Sequence, residues 1–239
     1  MSYGIYDLVN VSTRKISQLD AVTNNIANAS TPGFKAEHLH FVMQDRKEAS
    51  ADGQSTSYVP SMMVDYSPGG MQKTGNVLDL AIRGEGFFTV ETKEGVAYTK
   101  RGNFTLNKSY ELVTQSGDYV LDAGGKHLVV NGDELQVSNE GLITVDGNEA
   151  GRLKMVAFDK GQALSSRGDG LYTDPGNAGL KTLDKPEVTS GYLELANVQA
   201  IKEMVAMIDI QHSFETYQKA IQTIADLDRL STGRVGRLV

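Results

Sequence analysis

The side chains able to hold metals, move protons or attack carbonyls are sparse in this chain. It has no Cys and four His in 239 residues. A thiolate nucleophile, a disulfide frame and a thiolate-held zinc or iron–sulfur site are therefore excluded. His38 and His40 stand two apart, a spacing that puts both rings on one face of a strand. With no third ligand at a suitable distance in sequence, the pair reads as surface histidines and no metal is expected. His127 begins an expected strand and His212 falls inside an expected helix; packing or exposure is the plainer role for each. No GxSxG, HExxH, Walker A or Rossmann fingerprint occurs. Gly84-Glu85-Gly86 starts like a dinucleotide loop, but Thr89 stands where the third glycine belongs. Arg167-Gly168-Asp169 spells an adhesive tripeptide in a context that reads as a turn. Acidic residues are plentiful, yet no two stand out as an acid/base couple for glycoside hydrolysis. The expected cofactors, metals and catalytic residues are none, which favours a structural or interaction protein over an enzyme.

Composition narrows the field further. Lys and Arg number 23 against 30 Asp and Glu, a net charge of −7, and a nucleic-acid binder would need a basic footprint. Forty per cent hydrophobic and 22 per cent charged residues are ordinary for a globular protein with a core. No window reaches the roughly 18 consecutive apolar residues of a membrane span, so no membrane insertion is expected. The opening MSYGIYDLVNVSTRK has no basic region followed by an apolar run and a small-residue cleavage site, so it does not read as a signal peptide.

The elements that would carry any function are marked by where helix breakers fall. All five prolines lie between Pro32 and Pro186, and 22 of the 25 glycines lie between Gly33 and Gly191. Helical ends around a turn-rich middle follow. The first helix is expected over about 4–28. Its apolar walk runs Ile5, Val9, Ser12, Ile16, Leu19, Thr23 and Ile26, close to the spacing of a coiled-coil seam. It stops at Thr31-Pro32-Gly33-Phe34, whose Pro and Gly suit the two central positions of a type II turn. The second helix is expected over about 196–230 and carries two apolar walks. One is Val198, Ile201, Val205 and Ile208; the other is Met207, Ile210, Phe214, Tyr217, Ile221 and Ile224. A single antiparallel partner needs one stripe. Two stripes fit either a long core helix of a compact monomer or a helix packed partly by other subunits.

Between the helices, about 78–158 reads as short strands separated by turn residues: 78–83, 87–91, 96–100, 119–121, 127–130, 134–137, 142–145 and 152–158. That spacing fits a sandwich or barrel-like β domain. Residues 49–75 and 162–190 read as loops or extended connectors. The expected class is α+β: paired N- and C-terminal long helices, coiled-coil-like, enclosing a central all-β domain in sequence.

Four blocks resemble the bacterial flagellar rod and hook protein family, in the family's order: NNIANASTPGFKA (24–36), TGNVLDLAIRGEGFFTV (74–90), YTKRGNFTLNKSYELVTQSGDYVLD (98–122) and SGYLELANVQAIKEMVAMIDIQHSFETYQKAIQT (190–223). They span nearly the whole chain. The compact middle, the opening IYDLVNVSTRK and the tail DLDRLSTGRVGRLV look most like a proximal rod protein, with a distal rod or hook-type member of the same family as the alternative. Three positions depart from the family pattern. Ala196 stands for a usual Ser, His212 for a usual Arg, and Ser109-Tyr110-Glu111 where a Gly usually precedes Leu112-Val113.

The resemblance implies a structural subunit that assembles helically, with itself and other rod proteins, into the shaft carrying torque from motor to hook. It implies passage through the flagellar export apparatus without a cleavable signal, and a periplasm-spanning location in the basal body. It divides the chain into an assembly domain (1–35 with 191–239), a connector (36–73) and an outer β domain (74–190). The expected assembly residues on the N-terminal side are Ile5, Val9, Ile16, Leu19, Asn24, Asn25, Ile26 and Asn28, followed by Thr31, Pro32, Gly33 and Phe34 at the exit turn. On the C-terminal side they are Asn197, Met204, Met207, Ile208, Ile210, Phe214, Tyr217, Ile221 and Ile224. Two other classes stay open: a cell-wall-trimming enzyme, which needs an acidic pair in a cleft, and a soluble ligand-binding β domain, which needs ordered helices in isolation.

Overall fold

The structure is a computed structural model that describes residues 2–45, 56–132, 134–183 and 186–235, with side chains over 10–41, 61–132, 134–183 and 186–227. The chain is α+β, with one long helix near each end and a β-rich middle. Helix α1 spans Ser2–Ala27 and α2 spans Ala200–Val235. Between them run β1 (Glu37–Asp45), β2 (Thr56–Val64), β3 (Met71–Lys73), β4 (Leu80–Arg83), β5 (Phe87–Thr92), β6 (Gly95–Thr99), β7 (Thr105–Leu106), β8 (Leu112–Val113) and β9 (Tyr119–Val120). They continue with β10 (Leu135–Val137), β11 (Leu142–Val145), β12 (Asn148–Arg152), β13 (Met155–Phe158), β14 (Ser165–Gly168), β15 (Leu171–Thr173), β16 (Leu180–Thr182), β17 (Glu187–Ser190) and β18 (Tyr192–Glu194).

Two compact units result. One collects Met1–Ala27, Glu37–Met63 and Gln199–Val239; the other collects Asn28–Ala36 and Val64–Val198. In the helical unit α1 packs on α2 and on β1, and β1 pairs with β2. These nine-residue strands occupy part of the stretch that reads as a connector. They are harder to read because Pro60 and mixed polar residues interrupt any alternation. Arg14 lies over the ring of Phe41, 5.0 Å from its centre, so an arginine of α1 covers an aromatic of β1.

The β unit is built on β5, whose first four residues are all buried. Phe88 and Val90 point into one cluster with Leu80, Leu112, Val120, Leu128, Ile143 and Met155. Phe87 points to the other side, against Val156, Phe158, Leu164 and Tyr172. A strand buried on both faces reads as a continuous apolar run, which GFFTV supplies. Burying each such side chain contributes about 1.5–3 kcal/mol. The main sheet runs β14-β15-β6-β5-β9-β8-β7, with β13 pairing both β5 and β16. Smaller antiparallel pairs join β4 to β17 and β3 to β18.

Candidate functional site

The chain enters the β unit through residues 28–36, and this strap is held by a buried polar network. Thr31 N–H donates to Asn28 O at 2.9 Å, and Phe34 N–H to Thr31 O at 3.3 Å. Gly33 sits between them at φ +68°, in the left-handed region that the third position of a type II turn requires. A second constraint acts on the same residue: a Cβ there would lie 2.5 Å from the carbonyl carbon and oxygen of Lys100. Gly33 N–H donates to Glu194 O at 2.7 Å. Phe34, Lys35 and Ala36 are all buried. Lys35 is fully enclosed, and its Nζ reaches Glu194 Oε1 at 2.7 Å and Ser67 O at 2.7 Å. The same Glu194 oxygen accepts the Gly69 N–H at 2.9 Å. Asn197 completes the knot. Its Oδ1 accepts Ala36 N–H at 2.8 Å, and its Nδ2 donates to Asp65 O at 2.8 Å and to Ser67 O at 3.2 Å. One ion pair and one amide thus lace three distant segments, around 35, 67 and 196. A buried charge is tolerable only when paired and hydrogen-bonded, and here both partners are.

Lys100 lies beside this pair without joining it. It is 4% exposed; its Nζ donates to Gly84 O at 2.5 Å and rests 5.3 Å from the centre of the Phe87 ring. Burial, with a smaller push from Lys35, outweighs the attraction of Glu194 and Glu85 and pulls its pKa down to about 8. Lys100 lines a cavity of about 400 Å³ together with Tyr66, Phe87, Phe158 and Gln162.

In the helical unit Asn25 is fully buried. Its side chain mimics a strand partner: Nδ2 donates to Glu37 O at 2.9 Å and Oδ1 accepts Glu37 N–H at 2.9 Å. Nδ2 also lies 3.3 Å from Glu203 Oε2 of α2. Asn24 is exposed, with Nδ2 3.2 Å from Glu37 Oε2. Asn28 Oδ1 accepts from the Thr31 hydroxyl at 3.3 Å. The three asparagines therefore serve one helix end in different ways. Leu19 and Ile26 are half-buried, and Ile16 is 46% exposed. Ile5 and Val9 lie in α1 ahead of the residues whose side chains are described.

On α2 the two apolar walks have different fates. Met207, Ile210, Phe214, Tyr217, Ile221 and Ile224 are all half-buried. Of the other walk, Val198 precedes α2 and is half-buried, while Ile201, Val205 and Ile208 are 80%, 54% and 48% exposed, with Met204 beside them at 47%. Among the residues of the helical unit with described side chains, only Ala21 and Asn25 are buried.

His38, His40 and His212 are exposed, and no group of three His, Cys, Asp or Glu among the described residues could hold a metal. Both charged residues of the 167–169 tripeptide are engaged: Arg167 pairs with Glu94, and Asp169 O accepts from Arg101 Nη1 at 2.8 Å. Among described helices, none is long and apolar enough to cross a membrane. Sequence reasoning singles out Asn197 but passes over Lys35, Ser67, Lys100 and Glu194. Lys35 and Glu194 do fall inside two of the family-like blocks, on either side of the long middle.

Three family descriptions match the chain in order: "Flagella basal body rod protein" over 14–35, "Flagellar hook protein FlgE/F/G D1 domain" over 81–145, and "Flagellar basal body rod FlgEFG protein C-terminal" over 189–232. The flagellar basal-body rod protein FlgF of Caulobacter vibrioides is 36% identical over 227 residues, covering 92% of this chain and 93% of the relative. The chain belongs to the flagellar basal-body rod protein family. The rod protein FlgG of Bacillus subtilis is 31% identical, with 92% of each chain covered, and FlgF of Rhizobium meliloti is 33% identical, with 90% of each covered. This rod protein is a structural subunit of the bacterial flagellar basal body, and family membership implies assembly with other rod proteins. The matched segments 14–35 and 189–232 contain Asn25, the strap turn, Lys35, Glu194, Asn197 and both walks of α2.

Proposed function

We propose that this rod protein joins the shaft through the faces of α1 and α2 that its own fold leaves open, assembling helically with itself and with other rod proteins to transmit torque. The observation that carries this reading is the thin burial of the helical unit. With only Ala21 and Asn25 buried among its described side chains, the described part of the unit gains little from its own packing. Long helices draw most of their stability from packed faces. The half-buried walk from Met207 to Ile224 supports pairing with α1 within the chain, in the manner of a coiled coil. The exposed residues Ile201, Val205 and Ile208 support contact with neighbours, and Met204 beside them suits partners of differing shape. A contact that does not close on itself extends into a helical filament.

In this reading 1–35 with 191–239 form the assembly domain, 36–73 the connector and 74–190 the outer domain. Thr31, Pro32, Gly33, Phe34 and Asn197 fix the path of the strap within the β unit, while Ile5, Val9, Asn24 and Asn28 join the assembling face. The protein has no catalytic role, reaches the periplasm through the flagellar export apparatus without a cleavable signal, and occupies the proximal segment of the rod. Its partners are rod proteins and the export apparatus, with no nucleic acid and no membrane insertion. An in-frame deletion, followed by electron microscopy of basal bodies, tests the reading. Rings with no completed rod, hook or filament are expected, with growth arrested early. Motile cells with intact basal bodies, after removal of any paralogue, would overturn it.

A further inference from the structure

The cavity beside Lys100 lies wholly in the β unit and has no part in the proposed assembly. Its volume, about 400 Å³, falls within the roughly 300–1,000 Å³ of small-molecule pockets. Three rings form one side. Tyr66 meets Phe87 edge-on with 5.6 Å between ring centres, and Phe87 meets Phe158 in the same way at 5.5 Å. All three line the space. The Lys100 ammonium supplies a polar end. Gly84 and Phe87, the two groups it touches, also line the cavity, so the charged tip of Lys100 stands at the wall. An ammonium has three N–H donors. Among the described residues, Gly84 O is the only acceptor hydrogen-bonded to Lys100 Nζ. A buried charge with unmet donors is costly, and one acceptor from outside the chain relieves that cost.

The surrounding charges narrow what that acceptor can be. Glu194 attracts Lys100 but is held by Lys35. Glu85 is exposed next to Gly84, and Asp159, also exposed, pairs with Lys181 at 2.7 Å. Both Glu85 and Asp159 line the cavity. With one ammonium and two rim carboxylates around the space, a single negative charge is favoured over a phosphate dianion. The rings favour a flat, apolar body. We propose that the cavity binds a small aromatic monocarboxylate, its carboxylate on Lys100 Nζ and its ring against Tyr66, Phe87 and Phe158. A charge-assisted hydrogen bond forms at the buried end, while Glu85 and Asp159 stay exposed at the rim.

Isothermal titration of the full-length protein tests this with three probes of similar shape: 2-naphthoate, neutral 2-naphthamide and cationic 2-naphthylmethylamine. At about pH 7 naphthoate should bind about tenfold more tightly than the amide, with the amine weakest. Lys100 gives up its proton near pH 8, and a bound anion raises that value. The preference for naphthoate should therefore fade between about pH 8 and pH 10. Lys100→Met should weaken naphthoate about tenfold, to the level of the amide, and leave the amide unchanged. The pH profile needs no variant, so the test stands even where Lys100→Met fails to fold. Equal affinity for naphthoate and naphthamide at pH 7 would overturn the proposal. Tightest binding by the amine would overturn it too, because Glu85 and Asp159 would then decide what enters. No heat from naphthoate at millimolar concentration would sink it outright. Naphthoate binding unchanged in Lys100→Met, or a preference that persists at pH 10, would place the anion away from Lys100 and refute the assignment.

Discussion

Two neighbouring buried lysines, Lys35 and Lys100, should respond in opposite ways to the same substitution. Lys35 compensates Glu194, so Lys35→Met strands a buried carboxylate and should cost about 3–5 kcal/mol. Lys100 has a carbonyl and a ring for company, and burial has pulled its pKa from 10.5 to about 8. The folded state thus holds that proton less tightly than the unfolded state, and stability should rise as pH climbs from 8 towards 10.5. Lys100→Met removes the buried charge and loses one hydrogen bond. At pH 7 the net should be a gain on the order of 1–2 kcal/mol, shrinking by pH 9.5. Urea titrations of both variants check this; a loss of stability in Lys100→Met would show that its contacts outweigh its burial. Tyr110 makes a different case. It stands at φ +60°, and a side chain there costs about 1–2 kcal/mol. Allowing for glycine's freer unfolded state, Tyr110→Gly should stabilise by about 0.5–1 kcal/mol, read as a shift in the urea midpoint. His127 stacks on Tyr119 at 4.1 Å and reaches Glu91 at 2.7 Å and Glu111 at 3.4 Å. The Glu91 bond foremost, helped by Glu111 against slight desolvation, raises the imidazole pKa above 6.5. Its stabilisation is complete below the unfolded pKa and lost as pH rises through the folded one. The melting-temperature gap between wild type and His127→Gln should therefore narrow from pH 6 to pH 9.

At the scale of elements, α2 tests whether its two faces have separate work. Met207→Asp or Ile221→Asp places a charge in the half-buried walk and should lower the helix signal of the isolated protein as well as blocking assembly. Ile201→Asp, at a residue 80% exposed, should leave circular dichroism at 222 nm within error while stopping incorporation into basal bodies. Equal loss of helix in both kinds of variant would show that the faces are not distinct. Much of this element was readable in advance. Breakers avoid the helix up to Gly233 near its end, and the 3-4 steps of Met207, Ile210, Phe214 and Tyr217 identify its packed side, because sequence period and helical geometry coincide. The strands of the middle were readable where burial is two-sided, as in Phe87–Thr92. They were invisible where a strand is short and polar: all four residues of Ser165–Gly168 and all three of Leu180–Thr182 are exposed, so no alternation betrays them. The stretch from Arg152 to Phe158, read as one strand, is two. Arg152 ends a strand paired with β11, and Met155 starts another paired with β5. The strap turn was legible from Pro32 and Gly33. Lys35 and Glu194 were not, because a charged side chain is ordinarily a surface residue and nothing in their spacing reveals that they meet across 159 positions.

For the whole molecule, the contrast in burial between the two units sets the order in which they should come apart. The β unit encloses two apolar clusters around Phe87 and Phe88 and locks its entry strap with Lys35, Glu194 and Asn197. The helical unit buries Ala21 and Asn25 among its described side chains and leaves Ile201, Val205 and Ile208 open. Local stability follows buried apolar contact, and a helix pair with a thin interface approaches the marginal behaviour of isolated helices. Heating the isolated protein should therefore remove the 222 nm signal first. The near-ultraviolet signal of buried Tyr172 should persist to a higher temperature. Under the proposed assembly, contacts formed only in the rod would favour the folded helices by mass action. Raising protein concentration, or adding preformed basal-body fragments, should lift the first transition and leave the second in place. A single coincident transition, independent of concentration, would show that the helical unit is held by its own chain and that its open faces are not waiting for neighbours.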